Sequence, residues 1–480
     1  MKTLVALLLT TLSLAAEKPN ILFIFADDHC FNAVHALGND RIETPHLDQL
    51  VAQGTAFTNT YNMGAWNGAV CIASRTMLIN GRTLWHAHQL YDKAKADQIV
   101  TNRETWPQIL KDAGYQTYFT GKWHTSIQPD QIFDHVRNQR PGMPEDFPEG
   151  YYRPTGNGTD PWDPADPKWG GFWEGGKHWS EVVADDGIDY LNQAKDQDAP
   201  FFMYLAFNAP HDPRQAPKKF QNLYPYHTIP VPENFLPDYP HLAAMGMYPK
   251  KNDKGKPALL RDEALAPLPR PRYSVQANLS EYYAIITHKD HEIGRILQAL
   301  DDSGKRDNTL IIFTADHGLG VGQHGLLGKQ NMYEHSLKPP MILVGPGIPA
   351  GQTREQLVYL QDLIPTTLEY ANLTPPPHIE FLSMLPHLNH TGESRDAVYG
   401  AYLKNRQRMI RSGDHKLILY PTTQTIRLFN LKTDPLEMND LAKNPATLPL
   451  QKELFARLLQ LAKEHNDPLA LANTYQQLAK

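Results

Sequence analysis

Residues 18–29 read KPNILFIFADDH, an apolar run that does not alternate and that stops abruptly at two aspartates. A strand with one wet face alternates, whereas a strand buried on both faces stays apolar throughout. This run therefore reads as a parallel strand covered by helices. TPHLDQLVAQG (44–54) follows as a helix, with threonine as N-cap, proline at the first helical position and glycine at its end. The pattern then repeats. ETWPQILKDAGYQTYFTGKWH (104–124) gives a helix ending at Gly114 and a strand ending in Gly-Lys-Trp-His, and PFFMYLAFNAPHDP (200–213) is another apolar strand closing in a polar cluster. LSEYYAIITHKDHEIGRILQAL (279–300) places Tyr282, Ile285, Ile286, Ile293, Ile296, Leu297 and Leu300 on one helical face, interrupted only by Lys289. TLIIFTADHG (309–318) is a strand ending in Asp-His-Gly, and MILVG (341–345) and LVYL (357–360) are further strand candidates.

Strands alternating with helices predict an α/β fold, with a large, mostly parallel sheet sandwiched by helices and right-handed crossovers. After TPPPH (374–378) the character changes. RMIRSGDHKLILYPTTQTIRLFNLKTDP (408–435) alternates like antiparallel strands, and ELFARLLQLAKEH (453–465) is a helix. The expected organisation is a signal peptide at 1–16, a catalytic domain at 17–375 and a smaller C-terminal α+β subdomain with an antiparallel sheet at 376–480. Residues 125–180 and 213–275 read as long insertions, rich in Pro, Gly, Tyr and Trp.

MKTLVALLLTTLSLAA (1–16) has a lysine, an apolar run and small residues at its end, the pattern of a secretory signal cleaved near Ala16. The run is shorter than the roughly 20 residues a membrane span needs. The expectation is an exported protein, periplasmic or secreted, with no membrane span after signal removal. Apolar residues make up 41% of the 480, enough for a sizeable core, and the formal charge of -6 argues against a nucleic-acid partner. The two cysteines, Cys30 and Cys71, allow at most one disulfide.

In parallel sheets ligands bind beyond the carboxyl ends of the strands. Asp27-Asp28, Lys122 to His124, His211 and Asp316-His317 all fall there. The adjacent acids Asp27-Asp28 repel, and a bound cation explains them together with Asp316-His317, although an acidic loop pair capping a helix is the plain alternative for either pair alone. Oxygen-rich ligands favour Ca²⁺ or Mg²⁺, while His317 also suits zinc or manganese. Arg75, Lys122, His124, His211 and Lys329 form a cationic set. Each alone has an ordinary explanation, a solvated lysine or a satisfied histidine; together they describe a pocket for a tetrahedral oxyanion. Cys71 would start a helix over 71–79, whose N–H groups also favour an anion.

Cys71-Ile72-Ala73-Ser74-Arg75, with Ile79-Asn80-Gly81-Arg82 behind it, resembles the signature of the type I sulfatases, Cys-x-Pro-Ser-Arg followed by a Gly-Arg pair. The resemblance continues through PNILFIFADD, TPHLDQLVAQGTAFTNTY, GYQTYFTGKWH, HKDHEIGRIL, DNTLIIFTADHG and LFNLKTDPLEMNDLA, and the Asp-His-Gly variant looks most like the iduronate- and choline-sulfatase-like branches. It implies an alkaline-phosphatase-like superfold and a sulfuric ester hydrolase. It also implies one Ca²⁺ per chain on Asp27, Asp28, Asp316, His317 and a Cys71 converted to Cα-formylglycine, whose hydrate is the nucleophile. Arg75, Lys122 and Lys329 would neutralise transition-state charge. His211, with Lys329, would protonate the leaving alcohol, and His124 would take the proton that expels sulfate. Two positions depart from the family pattern. Ala73 replaces the usual proline, which leaves the partner in maturation between a formylglycine-generating enzyme and a radical maturase. His317 stands where many members carry asparagine.

The expected substrate is a sulfated carbohydrate. Trp162, Trp169, Trp173 and Trp179, with Trp85, His86 and His88, are candidates to line a sugar cleft, with anchoring of a long loop as the equal alternative. Two other classes remain: a phosphoester hydrolase of the same superfold, and a non-catalytic glycan-binding relative in which Cys71 is never matured.

Overall fold

The structure, a computed structural model, describes residues 17–155, 160–247 and 259–479. The expected signal peptide, 1–16, lies outside the described residues. Among those described, no helix is long and apolar enough to cross a membrane.

The eight strands of the large sheet are β1 (Asn20–Ala26), β2 (Thr55–Phe57), β3 (Gln116–Lys122), β4 (His135–Arg140), β5 (Phe201–Ala206), β6 (Thr309–Ala315), β7 (Met341–Val344) and β8 (Gln352–Arg354). They lie in the order β8-β2-β7-β6-β1-β5-β3-β4. β1 pairs in parallel with β6 and with β5, and β3 with β5 and β4. β7 alone runs against its neighbours. The chain leaves β6 at Ala315, makes a long loop at that same end of the sheet, and can only return antiparallel. The sheet is therefore mostly parallel, as expected, with one reversed strand that the apolar run MILVG could not reveal.

All seven residues of β1 are buried, because it is covered on both faces. Ile21, Phe23 and Phe25 face one apolar layer with Trp106 and Tyr204; Leu22, Ile24 and Ala26 face the other, which holds Ile293 and Ile296. The second layer packs under the long helix Arg272–Asp302. Lys289, the apparent break in that helix's apolar face, is fully buried, with its Nζ 2.6 Å from His29 Nδ1. Burial holds its ammonium well below the usual lysine range. The next residue, Asp290, accepts hydrogen bonds from the N–H groups of His46 (3.1 Å) and Leu47 (2.8 Å), capping the helix Pro45–Gln53 from outside the local chain.

The second sheet holds β9 (Ala397–Tyr402), β10 (Gln407–Ser412), β11 (His415–Tyr420) and β12 (Thr425–Asn430), antiparallel throughout, with the helix Leu448–Glu464 contributing to its core. A fifth strand comes from far upstream: Gly64–Ala65 pairs in parallel with Ala401 and Tyr402. Val358–Tyr359, expected as a strand, pairs with Thr60–Tyr61 in a separate ribbon. Cys30 and Cys71 are both free thiols, so the disulfide that the cysteine count allowed does not form. Cys30 lies 3.0 Å from the Leu319 carbonyl oxygen.

The Gly64–Ala65 strand anchors the chain six residues before Cys71. Gly64 has φ 93°, and a Cβ there would stand 1.9 Å from the Ala401 carbonyl oxygen. Gly64→Ala is expected to cost about 3 kcal/mol of stability, read as a lower denaturant midpoint. A change below about 0.5 kcal/mol would show that this strand pair yields freely.

Candidate active site

The register of the sheet builds the site. Ala26 of β1 lies opposite Ala315 of β6, and Gly121 of β3 opposite Ala206 of β5, so these strands run out at one edge. The residues that follow them, Asp27-Asp28, Asp316-His317 and Asn208 to Asp212, emerge beside Lys122. The Asp316 N–H donates to the Ala26 carbonyl at 3.2 Å, and the Asp28 N–H donates to Asp316 Oδ1 at 3.1 Å. Asp28 takes a left-handed φ of 62°, which turns the chain out of the strand at this point.

The helix Val70–Asn80 delivers Cys71 onto this edge. It is buried along almost its whole length because it lies between the two cores. Ser74 Oγ donates to the Asp316 carbonyl at 2.8 Å. Arg75 donates through Nε to Asp316 Oδ2 (3.0 Å) and through Nη1 to the Lys122 carbonyl (3.0 Å), with its guanidinium 4.6 Å from the Phe25 ring centre.

Asp27, Asp28, Cys71, Asp316 and His317 each bring one ligand atom to within 4.8 Å of all the others, and all five are buried. Cys71 Sγ is 3.4 Å from Asp27 Oδ1 and 3.3 Å from His317 Nε2. His317 Nδ1 sits 2.7 Å from the Gly318 carbonyl, so that nitrogen carries the proton and Nε2 is turned to the carboxylates. Lys122 Nζ contacts Asp27, and Lys329 Nζ lies 2.8 Å from both Asp28 oxygens, 3.5 Å from Cys71 Sγ and 3.2 Å from His211 Nε2. His211 Nδ1 is 2.6 Å from the Asp212 carbonyl, which again places its proton there and leaves Nε2 facing the lysine.

The electrostatics are those of crowded carboxylates. Burial, Asp316 and the Cys71 sulfur push the Asp27 carboxyl well above the usual range, against the pull of Lys122. Burial opposes ionisation of Asp316 too, but His317 and Arg75 bring it to about 2. Burial likewise resists protonation of His317, yet Asp316, Asp28 and Cys71 raise it to about 9. The Cys71 thiol is resisted by burial and still held well below its ordinary value by Lys122, Lys329 and His317. Three carboxylates with an imidazole drawn into protonation form a donor set that fits a hard divalent cation, which would displace the imidazole proton.

A cavity of about 280 Å³ opens over Cys71, with His124, His211 and Lys329 in its wall. Arg75 and Lys122 are not in the lining; they lie beneath it. Four residues that the sequence reading passed over, Met143, Arg261, Asp262 and Gln330, also line it. None of the aromatic candidates for a sugar cleft lines this cavity. Trp85 is buried and donates to Tyr399 Oη at 2.9 Å, His86 pairs with Glu380, and His88 packs on Trp66. Trp162 stacks on Trp169 at 5.4 Å, Trp173 meets His178 edge-on, and Trp179 carries the Arg140 guanidinium. These rings anchor loops. Asn62, also unread, and Tyr282, read only as part of an apolar helical face, hold the backbone of the metal-ligating candidates: Asn62 Nδ2 donates to the Asp316 carbonyl (2.6 Å) and Tyr282 Oη to the Asp28 carbonyl (2.9 Å).

The sulfatase family profile matches residues 19–373, and the profile described as N-sulphoglucosamine sulphohydrolase, C-terminal, matches 322–464. The N-acetylglucosamine-6-O-sulfatase of Bacteroides thetaiotaomicron is 28% identical, over 94% of this chain and 87% of its own. The iduronate 2-sulfatase of Mus musculus is 28% identical, over 79% and 73%. A solved structure of a protein in complex with its substrate, D-glucosamine-2-N,6-O-disulfate, superposes with a TM-score of 0.74 at 26% identity, covering 94% of this chain and 98% of that one.

His124 lines the cavity with Cys71, and its Nδ1 is buried with no hydrogen-bond partner among the described residues. Its ring is placed by packing: a Cβ on Gly142 would stand 2.3 Å from the imidazole. Gly142→Ala is expected to displace His124 and lower sulfate-ester turnover about 100-fold with little loss of stability. Unchanged turnover would place His124 outside the reaction.

Proposed function

The chain belongs to the sulfatase family and is a sulfuric ester hydrolase, and on that premise we propose that it is exported and removes sulfate from a sulfated saccharide. In this reading Cys71 works as Cα-formylglycine, and one Ca²⁺ is held by Asp27, Asp28, Asp316, His317 and the modified Cys71. The observation that carries it is the convergence of those five donors beneath a cavity whose wall holds the Lys329–His211 pair. A cysteine sulfur is a poor match for a hard cation, whereas the hydrated aldehyde supplies an oxygen nucleophile at the same position. When bound, Ca²⁺ supplies positive charge that polarises a sulfate oxygen and lowers the pKa of the attacking hydroxyl.

The chain's own residues then have separable tasks. Arg75, buried beneath the cavity floor, keeps Asp316 ionised and adds positive charge under the sulfate. Lys122 does the same at Asp27. Lys329 bridges Asp28, Cys71 and His211, so it neutralises charge on the transferred group while donating to His211 Nε2. His211 holds its Nδ1 proton on the Asp212 carbonyl, so Nε2 takes a proton from Lys329 Nζ and passes it to the leaving alcohol, Lys329 being left neutral until it is reprotonated. Burial keeps His124 below its ordinary pKa, hence neutral and able to accept the proton whose removal expels sulfate.

A sulfated saccharide is supported by the relatives, among them sulfatases of 6-O-sulfated N-acetylglucosamine and of iduronate. The N-terminal segment supports export. Ala73 supports a radical maturase acting on the unfolded chain, with the oxygen-dependent generating enzyme as the other route.

Protein taken from its native source should yield a 71–75 peptide with the mass of the aldehyde, release inorganic sulfate from 6-O-sulfated N-acetylhexosamines, and lose activity on chelation and regain it with Ca²⁺. His211→Ala should lower turnover about 10²- to 10⁴-fold. An unmodified thiol in active exported protein would overturn the mechanism, and release of phosphate but not sulfate from matched esters would make the chain a phosphoester hydrolase.

A further inference from the structure

The wall of the cavity beside Lys329 is built from residues that the proposed chemistry leaves unused. Arg261 and Asp262 stand side by side, and their charges are almost wholly spent on each other and on neighbours. Arg261 donates through Nη2 to Asp262 Oδ1 at 2.5 Å, and through Nη1 to Tyr151 Oη (3.0 Å) and to Asp212. One guanidinium thus serves two carboxylates and offers little to a further anion. Asp262 Oδ2 accepts from Gln330 Nε2 at 2.9 Å and lies 4.0 Å from Lys329 Nζ. A carboxylate has about four acceptor positions, so roughly two on Asp262 remain open.

Behind this wall stands a residue of the C-terminal sheet. Tyr402, from β9, is 99% buried, yet its Oη has no hydrogen-bond partner among the described residues. It stands 3.9 Å from where a Cβ of Gly68 would be, and Gly68 also lines the cavity. Its hydroxyl is not in the lining, so it backs the wall behind Gly68 without facing a ligand. The wall therefore offers an acceptor carboxylate 4.0 Å from Lys329 Nζ, which in turn lies 3.2 Å from the His211 nitrogen assigned to the leaving alcohol.

We propose that Asp262 selects the leaving alcohol, its carboxylate accepting a hydrogen bond from a free ring hydroxyl neighbouring the sulfate ester, which for a 6-O-sulfate is the 4-hydroxyl. The substrate is then a sugar monosulfated in that neighbourhood, and one carrying a second sulfate on that hydroxyl is repelled by Asp262. This rests on the sulfatase reading given above.

The test compares wild-type enzyme with Asp262→Asn on four esters: a sulfated N-acetylhexosamine with a free neighbouring hydroxyl, its deoxy analogue, the analogue sulfated at both positions, and 4-nitrophenyl sulfate. Wild type should hydrolyse the first about 30-fold better than the second or third. Asp262→Asn should lower kcat/KM for the first about 30-fold more than for the aryl ester, and should treat the first and second alike. An equal fall on sugar and aryl esters would mean that Asp262 acts only through Lys329, and overturns the proposal. So does a wild type that cleaves the aryl ester but is indifferent to the neighbouring hydroxyl. A wild type that cleaves neither, with Cys71 converted to the aldehyde, would instead overturn the sulfatase reading.

Discussion

The rest of the structure answers to one electrostatic constraint: three carboxylates, Asp27, Asp28 and Asp316, meet without solvent at the end of two paired strands. Each buried charge costs several kcal/mol unless it is compensated. Lys122 meets Asp27, Lys329 meets Asp28 and Arg75 meets Asp316, so each carboxylate has its own buried cation, and all three cations are also held by burial. The compensation is incomplete. Asp27 remains pushed above the usual carboxylate range and His317 is drawn up to about 9, which is how a cluster behaves when it is arranged for one more positive charge than the side chains provide. The same arrangement explains why cations proposed for the reaction sit so close to the proposed metal ligands. They hold the carboxylates ionised and face the oxyanion from the same positions.

What the sequence made legible follows from burial on two faces. β1, β5 and β6 announce themselves as unbroken apolar runs because helices cover both sides of them, and the polar residues at their ends stand out against that background. The register then does the rest, so that residues such as Asp28 and Asp316, 288 positions apart, meet at one edge. The reversed strand β7 was not legible, since a short apolar run carries no direction. Nor was the pairing of Gly64–Ala65 with β9, which rests on two residues and a glycine that tolerates close approach.

The site was misread where chemistry and packing use the same residue types. Tryptophans suit both a sugar and a loop core; here Trp162, Trp169 and Trp179 stack on one another or on arginine and stay out of the cavity. Lys289 read as a break in an apolar face, whereas its long stem and a histidine partner allow it to be buried. Asp262 went unread because it lies in a segment without periodicity, where an aspartate beside an arginine looks like any solvated pair. Only the fold shows that Arg261 is committed to Asp212 and that Gln330 ties Asp262 to the loop carrying Lys329.

The two sheets thus divide the cavity. The large sheet and the helix that begins at Cys71 build its floor, where strand register leaves little freedom: shifting one partner would separate Asp27 from Asp316. The C-terminal sheet backs the other wall, Tyr402 standing behind Gly68 and Gln407 Nε2 donating to the Gln330 carbonyl at 2.9 Å. The short strand Gly64–Ala65 joins the two, running from the C-terminal sheet into the turn that delivers Cys71. A change in the C-terminal wall can therefore alter which alcohol is accepted while the floor that handles the oxyanion keeps its geometry. That is the physical condition under which a fold can keep one reaction and vary its substrate.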